Sequence, residues 1–247
     1  MANTKSWQVF SSRIASIKQS FQLSDLSLTM AQKHCAKQKD NGKTIAETLN
    51  GSLDTHRQLN TPNTLVDINR TFITNRNRLN QQALIELYKT FSYYIKSIIH
   101  ELSLQDPMRM QGLLCAKTEK NVSYPDIIKL GSYDAIIADM SKKVFRSLER
   151  LQSTPELLDK LIDLTGIRID DSLKEEALLY LELRHLIIHN NAKADDKYIS
   201  LNQKKKVSIN SNTKKIYYNY TLSNTAMNVV YQLCKIIDDE LIRLGLV

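Results

Sequence analysis

Apolar residues recur at helical spacing along most of the chain, and four long stripes stand out after residue 65. They predict helices over residues 79–104, 133–151, 172–189 and 223–245. The stripe in residues 79–104 comprises Leu84, Tyr88, Phe91, Ile95, Ile98 and Leu102. An amphipathic helix buries its stripe against another element, so we expect these four helices to pack together.

The helix over residues 172–189 has marked ends. Ser172 and Glu175 fit a capping box, in which a hydroxyl and a carboxylate satisfy the free amides of the first turn. Asn190 and Asn191 fit a helix stop, because asparagine tolerates the left-handed conformation. A shorter helix is predicted to begin near residue 154 and to end at Gly166, and a further one to start at Pro107.

The N-terminal region has a stripe of its own: Trp7, Phe10, Ile14, Ile17, Phe21 and Leu28. We expect this helix to pack within the chain. A coiled-coil seam with a second chain is the alternative, although the stretch of true heptad spacing is short. Residues 40–42 should break the helix, and the polar residues 50–62 are interpreted as a linker or loop. This divides the chain into an N-terminal helical extension, residues 1–60, and a main domain, residues 65–247.

A strand-like pattern is found near the C-terminus. Val207 and Ile209 alternate with polar residues, residues 210–212 suit a turn, and Ile216, Tyr218 and Tyr220 alternate again. This predicts a small β-hairpin, followed by a closing helix over residues 222–246.

Composition supports an all-α class. The chain has 247 residues, 42% of them hydrophobic, with six glycines and four prolines, so turns are sparse and elements are long. The net charge of +8 permits a polyanionic partner without requiring one. The three cysteines are scattered, which fits a reduced, cytoplasmic protein. The first residues lack the apolar core of a signal peptide, and no run of apolar residues is long enough for a membrane span.

The candidate chemistry lies at the end of the 172–189 helix, in the stretch Arg184-His185-Leu186-Ile187-Ile188-His189-Asn190. RNA carries its own nucleophile, the 2′-hydroxyl, so its cleavage needs a base for that proton and a cation for the phosphate charge. Histidine suits the first task and arginine the second. Five helical residues rotate by about 140°, so Arg184 and His189 do not share a face, whereas His185 and His189 do.

The stretch from Glu182 to Tyr198 resembles the signature of the HEPN family, in particular its RiboL-PSP/MAE-like type. The shared pattern is an arginine, a polar residue, apolar residues, His-Asn, a small turn and an aspartate. The long helix upstream and the hairpin and closing helix downstream are also similar to those of the family. The resemblance covers residues 65–247 and implies a HEPN-type helical bundle.

The resemblance also implies an activity. Catalytic HEPN proteins are metal-independent endoribonucleases, which suggests Arg184 and His189 as the catalytic pair, His185 as a supporting residue and Asn190 as a cap or wall of the site. It implies cleavage of tRNA, rRNA or mRNA to a 2′,3′-cyclic phosphate, no cofactor, and a homodimer whose two pairs face one groove. Many members are toxins or antiviral-defence effectors, so an antitoxin or defence-system protein is an expected partner.

One position departs from the family. Members silenced by a nucleotidyltransferase often carry tyrosine two positions after the histidine, where this chain has Asn191. AMPylation at that position is therefore impossible.

Alternative interpretations stay open. The domain can be a non-catalytic HEPN module that binds RNA, nucleotide or a partner protein, or a structural helical protein in which Arg184 and His189 only cap a helix. The basic residues Lys193, Lys204, Lys205 and Lys206 are candidates for RNA contacts or a solvated loop. Of Tyr217, Tyr218 and Tyr220, alternation indicates that two pack inward. No His, Cys or Asp cluster shows metal-ligand spacing, so no metal site is predicted.

Overall fold

The computed structural model describes residues 3–40, 42–52, 54–106, 124–149 and 154–246, which are mostly helical. The all-α class is therefore confirmed. A short 3-10 helix spans Arg57–Leu59. The α-helices of the described residues are α1 (Lys5–Lys37), α2 (Ile45–Thr48), α3 (Leu65–Gln105), α4 (Tyr124–Leu130), α5 (Tyr133–Glu149), α6 (Thr154–Thr165), α7 (Asp171–His189), α8 (Asp196–Leu201) and α9 (Tyr220–Arg243).

The four long helices predicted after residue 65 are present as α3, α5, α7 and α9, and α3 contacts each of the other three. Helix α3 is longer than predicted, because it begins at Leu65, where Thr64 caps it by accepting a hydrogen bond from the backbone N–H of Asp67. The last two residues predicted for α5 and the helix predicted from Pro107 lie outside the described residues. Helix α6 ends as expected before Gly166, which has a positive φ of 68°.

Helix α3 runs antiparallel to α1. At one end the backbone N–H of Ser6 donates to Glu101, and at the other Arg76 donates to the hydroxyl of Thr29. Helix α9 runs parallel to α3, since Asn80 accepts from Ser223 at 2.8 Å and the Tyr94 hydroxyl donates to the Cys234 carbonyl at 3.0 Å. Helices α1, α3 and α9 therefore pack against one another as a group of three.

Helix α1 packs into the same hydrophobic core as α3, α7 and α9, which confirms the expectation that its stripe is buried within the chain. Trp7, Phe10, Ile14 and Phe21 are all at most 4% exposed and belong to the largest core cluster. Phe21 also stacks on Tyr220 at the start of α9, with ring centroids 5.2 Å apart. The core therefore extends across both sides of the boundary predicted near residues 60–65.

The predicted linker, residues 50–62, contains the 3-10 helix Arg57–Leu59 and follows a segment that forms α2. Thr44 and Glu47 form the capping box that starts α2, and Ile45 is fully buried in a second core cluster at this end of the α1–α3 pair. The side-chain amide of Asn63 donates to the backbone carbonyls of Cys35 and Gln38. These contacts tie the segment to the C-terminal end of α1.

In the strand-like region Ile209 forms an antiparallel bridge with Ile216, and Lys215 forms another with Lys193. The backbone N–H of Tyr217 donates to the Ser208 carbonyl at 3.2 Å, so the chain reverses direction between these two residues. The alternating pattern placed Tyr220 in a strand, which is wrong. Tyr220 is the first residue of α9, because Asn219 caps that helix. Helix α8, just before this region, was not predicted.

Helices long and apolar enough to cross a membrane are absent from the described part of the chain.

Candidate functional site

The Arg184–His189 stretch forms the last turns of α7, a helix that starts differently from the prediction. Its N-cap is Asp170, whose carboxylate accepts hydrogen bonds from the Leu173 backbone and from the Ser172 hydroxyl. These bonds lower the pKa of Asp170. The predicted Ser172–Glu175 capping box is therefore wrong, because an ionised aspartate two residues earlier is the stronger acceptor and Glu175 pairs elsewhere.

The end of α7 is as predicted. Helix α7 stops at His189, and the backbone N–H of Asn190 donates to Leu186. The side-chain amide of Asn190 donates to the Lys193 carbonyl at 2.9 Å, which holds the following turn, and Asn191 adopts a left-handed φ of 49°. Asn190 is thus a C-cap residue next to the candidate site, and Asn191 tolerates the conformation that turns the chain away.

Arg184 is held by a different helix. Its guanidinium carbon lies 5.1 Å from the centroid of the Tyr88 ring on α3, a cation–π contact, and the residue is half-buried. Tyr88 is half-buried and packs against the main core. Sequence analysis missed this partner because Tyr88 lies on the apolar stripe of α3 and looked like any other core residue.

His185 and His189 lie together on the exposed face of α7. Their ring centroids are 4.9 Å apart with planes inclined at 43°, and both residues are exposed. Within the described residues, neither ring has a hydrogen-bond partner. Both imidazoles are therefore accessible to a ligand.

The structure does not bring Arg184 and His189 of one chain into contact. Arg184 is directed to Tyr88 on α3, whereas His189 lies beside His185 in solvent. This agrees with the rotation of about 140° expected over five helical residues. Any substrate group that touches both side chains in one molecule would have to bridge two faces of the helix.

The candidate RNA-binding lysines occupy two separate places. Lys193 is exposed and follows directly on the turn after His189. Lys204 and Lys206 instead pair with Glu175 at 3.1 Å and Glu176 at 2.7 Å, near the start of α7. That is about 20 Å from His189 along the helix. Lys205 is exposed beside these two and shares their distance from the site.

A cleft of about 290 Å³ opens beside these paired lysines, between the start of α7 and the end of α8. Its walls include Glu176, Leu179, Leu201 and Asn202. Nearby, burial and the Glu176 carboxylate raise the pKa of Tyr180 to about 12. The cleft lies at the end of α7 opposite to His189, and the two places are separate.

The tyrosines after residue 216 are arranged as the alternation indicated. Tyr218 is buried and Tyr220 stacks on Phe21, whereas Tyr217 is 55% exposed and accepts a hydrogen bond from Asn210. Tyr217 alone of the three is thus available to a ligand.

Among the described residues, no group of three or more His, Cys, Asp or Glu side chains is placed to hold a metal ion. Comparison with known proteins gives no relative: no family model matches the chain, and no curated protein or solved structure is detectably similar to it.

Proposed function

We propose that the protein is a metal-independent endoribonuclease of HEPN type, in which Arg184 and His189 carry the reaction. The observation that supports this most directly is the free, exposed imidazole of His189 on the same helix end as a positioned guanidinium. An unbonded imidazole can act as a base, and a guanidinium fixed by an aromatic ring can bind phosphate without first being ordered. The antiparallel bridge of residues 209 and 216 fits the hairpin of this fold.

In the proposed reaction, His189 removes the proton of an RNA 2′-hydroxyl, whose oxygen attacks the adjacent phosphorus. The bond from phosphorus to the 5′-oxygen breaks and that oxygen takes a proton from water, leaving a 2′,3′-cyclic phosphate on one fragment and a 5′-hydroxyl on the other. The proton held by His189 then returns to solvent. Arg184 stabilises the charge that develops on the phosphate oxygens. His185 supports His189 through ring contact, and Asn190 fixes the helix end.

The proposed active unit is a two-fold dimer. Arg184 and His189 point to different faces of α7, so one chain does not aim both side chains at one phosphate. A second copy related by a two-fold axis supplies the missing group, since an isologous interface brings the same helix end from each chain together. In such a dimer, each chain supplies one part of a site that is incomplete in a single chain.

The proposed substrate is single-stranded RNA, and the proposed setting is a toxin or antiviral-defence effector acting in the cytoplasm with an antitoxin or defence-system partner. Of the candidate lysines, Lys193 is the one that lies beside the motif. We assign RNA-backbone contact to it ahead of Lys204, Lys205 and Lys206.

The second candidate function is a non-catalytic HEPN module that binds RNA, nucleotide or a protein. The separation of Arg184 from His189 within one chain favours it, because neither residue then completes a reaction site. Catalysis by a dimer and binding without catalysis predict different outcomes in the same assay.

The decisive assay incubates the protein with single-stranded RNA in excess EDTA. His189→Ala and Arg184→Ala should each lower the rate by about 10²–10⁴-fold, and His185→Ala by less. Exposed residues elsewhere provide matched controls, His56→Ala and Arg78→Ala, which should cleave at the wild-type rate. Product ends are identified as 2′,3′-cyclic phosphate and 5′-hydroxyl. Folded Arg184→Ala and His189→Ala proteins that still cut RNA at the wild-type rate would refute the proposal.

A further inference from the structure

The imidazoles of His185 and His189 have the arrangement of a two-residue chelate. They are four residues apart on a regular helix, which places one ring directly above the other. Their centroids are 4.9 Å apart, both rings are exposed, and neither has a hydrogen-bond partner within the described residues.

The spacing matches the size of a bound transition-metal ion. Zinc binds imidazole nitrogen at about 2.0–2.1 Å and prefers tetrahedral geometry, which sets two ligand nitrogens roughly 3.3 Å apart. Rings that hold nitrogens at this separation have centroids about 5 Å apart or slightly more. The observed centroid distance of 4.9 Å is close to this value.

The electrostatic setting is mixed but compatible with a cation. The pair lies in the last turn of α7, where the helix dipole places a partial negative charge. The nearest basic groups in sequence are Arg184, whose guanidinium is directed to Tyr88, and Lys193, which is exposed beyond the turn. Neither side chain is bound to the imidazoles.

We propose that His185 and His189 together bind one zinc-class divalent ion, through one ring nitrogen of each, with water in the remaining positions. Sequence spacing gave no metal site, because two ligands fall short of a structural cluster. A two-ligand, solvent-exposed site is instead suited to reversible binding. If His189 acts as the base of the proposed function, the bound ion occupies the nitrogen that takes the proton, so zinc inhibits cleavage.

Direct binding is measured with Zn²⁺ against a chromogenic chelator, using the full chain. The parent protein and all variants carry Cys115→Ser, so that this thiol cannot contribute to the zinc signal. We expect one ion per chain. Linking two donors raises affinity by about 10²–10⁴-fold over one alone, so His185→Ala and His189→Ala should each weaken binding by about 10²-fold or more. His56→Ala removes an exposed lone histidine and should leave the affinity unchanged.

Thermal unfolding supplies a second readout that does not depend on the competitor. Zinc should raise the Tm of the parent protein and not that of either histidine variant, because an ion that binds the folded state stabilises it. Circular dichroism verifies that the variants are folded. Equal zinc affinity in the parent and both variants, or no binding by the parent at micromolar zinc, overturns the proposal.

The link to cleavage is tested separately. Zinc should inhibit the parent, with Mg²⁺ as the control ion, and the His185→Ala protein should lose zinc sensitivity relative to its own metal-free rate. If the protein binds zinc through both histidines but cleaves no RNA, the proposed ribonuclease function fails and the metal site stands. If it cleaves RNA but binds no zinc, the metal site fails and the proposed ribonuclease function stands.

Discussion

The guanidinium of Arg184 lies over the ring of Tyr88, 5.1 Å from its centroid, although the two residues are on different helices. The candidate phosphate-binding group is therefore positioned by a residue of α3 as well as by the helix that carries it. Because Tyr88 packs against the main core, the arginine is coupled to the packing of the whole bundle.

Replacing Tyr88 tests this coupling. Tyr88→Leu removes the aromatic face, and a cation–π contact of this kind contributes about 1 kcal/mol, so RNA cleavage should fall by about fivefold. Tyr88→Phe keeps the ring and should stay close to the wild-type rate. Rates are measured on a fluorescent single-stranded RNA in EDTA. A Tyr88→Leu protein that loses stability but not activity would show that the contact serves the fold alone.

The two lysine positions should differ in RNA binding. Lys193→Ala removes a charge beside the motif and should lower the slope of log affinity against log salt by about 0.7, the value for one single-strand phosphate contact. Lys204→Ala should leave the slope unchanged, since Lys204 is paired with Glu175 at the far end of α7. Fluorescence anisotropy with a 2′-O-methyl RNA, which cannot be cleaved, measures both. A larger effect of Lys204→Ala would place the RNA at the other end of the helix.

Helix α1 should be part of the cooperative unit. Phe10 is 1% exposed in the main core, so Phe10→Ala should destabilise the protein by about 3–5 kcal/mol. Its neighbour Val9 is 41% exposed, and Val9→Ala should cost no more than about 0.5 kcal/mol. Urea unfolding followed by circular dichroism should show one transition that shifts as a whole. A biphasic curve, with only a small early phase moved by Phe10→Ala, would instead support residues 1–60 as a separate extension.

Asp238 should make stability depend on pH. It accepts a hydrogen bond from the Thr4 hydroxyl, its second carboxylate oxygen is buried without a partner among the described residues, and burial raises its pKa. The folded state therefore holds this proton more tightly than the unfolded state does. The stabilisation is complete below the unfolded pKa of about 3.9 and is lost as pH rises through the raised folded value.

The neutral isostere Asp238→Asn lacks this titration. Its free energy of unfolding, relative to wild type, should rise between pH 4 and pH 7, as measured by urea unfolding at each pH. Asp163→Asn, at an exposed position on α6, provides the control and should show a flatter difference. A wild-type minus Asp238→Asn difference that is constant over this range would contradict a raised pKa.

Sequence alone determined the elements that depend on neighbours within a turn or two. The apolar stripes of α3, α7 and α9 predicted those helices, because burial of one face stabilises a helix wherever its partner lies. The end of α7 after His189 was also predicted from the sequence, since the ability of Asn191 to adopt a left-handed conformation is a local property. The same reasoning erred at Ser172, where Asp170 and Ser172 both suit a cap and the geometry of the preceding residues selected Asp170.

Tertiary structure decided everything that joins distant segments. The contact of Arg184 with Tyr88 depends on the register between α3 and α7, and the pairing of Lys204 and Lys206 with Glu175 and Glu176 depends on where the chain returns after α8. A stripe shows that a residue is buried but not which side chain it meets. Helix periodicity is set by local hydrogen bonds, whereas register is set by how whole side-chain surfaces fit together, and that fit exists only in the folded chain.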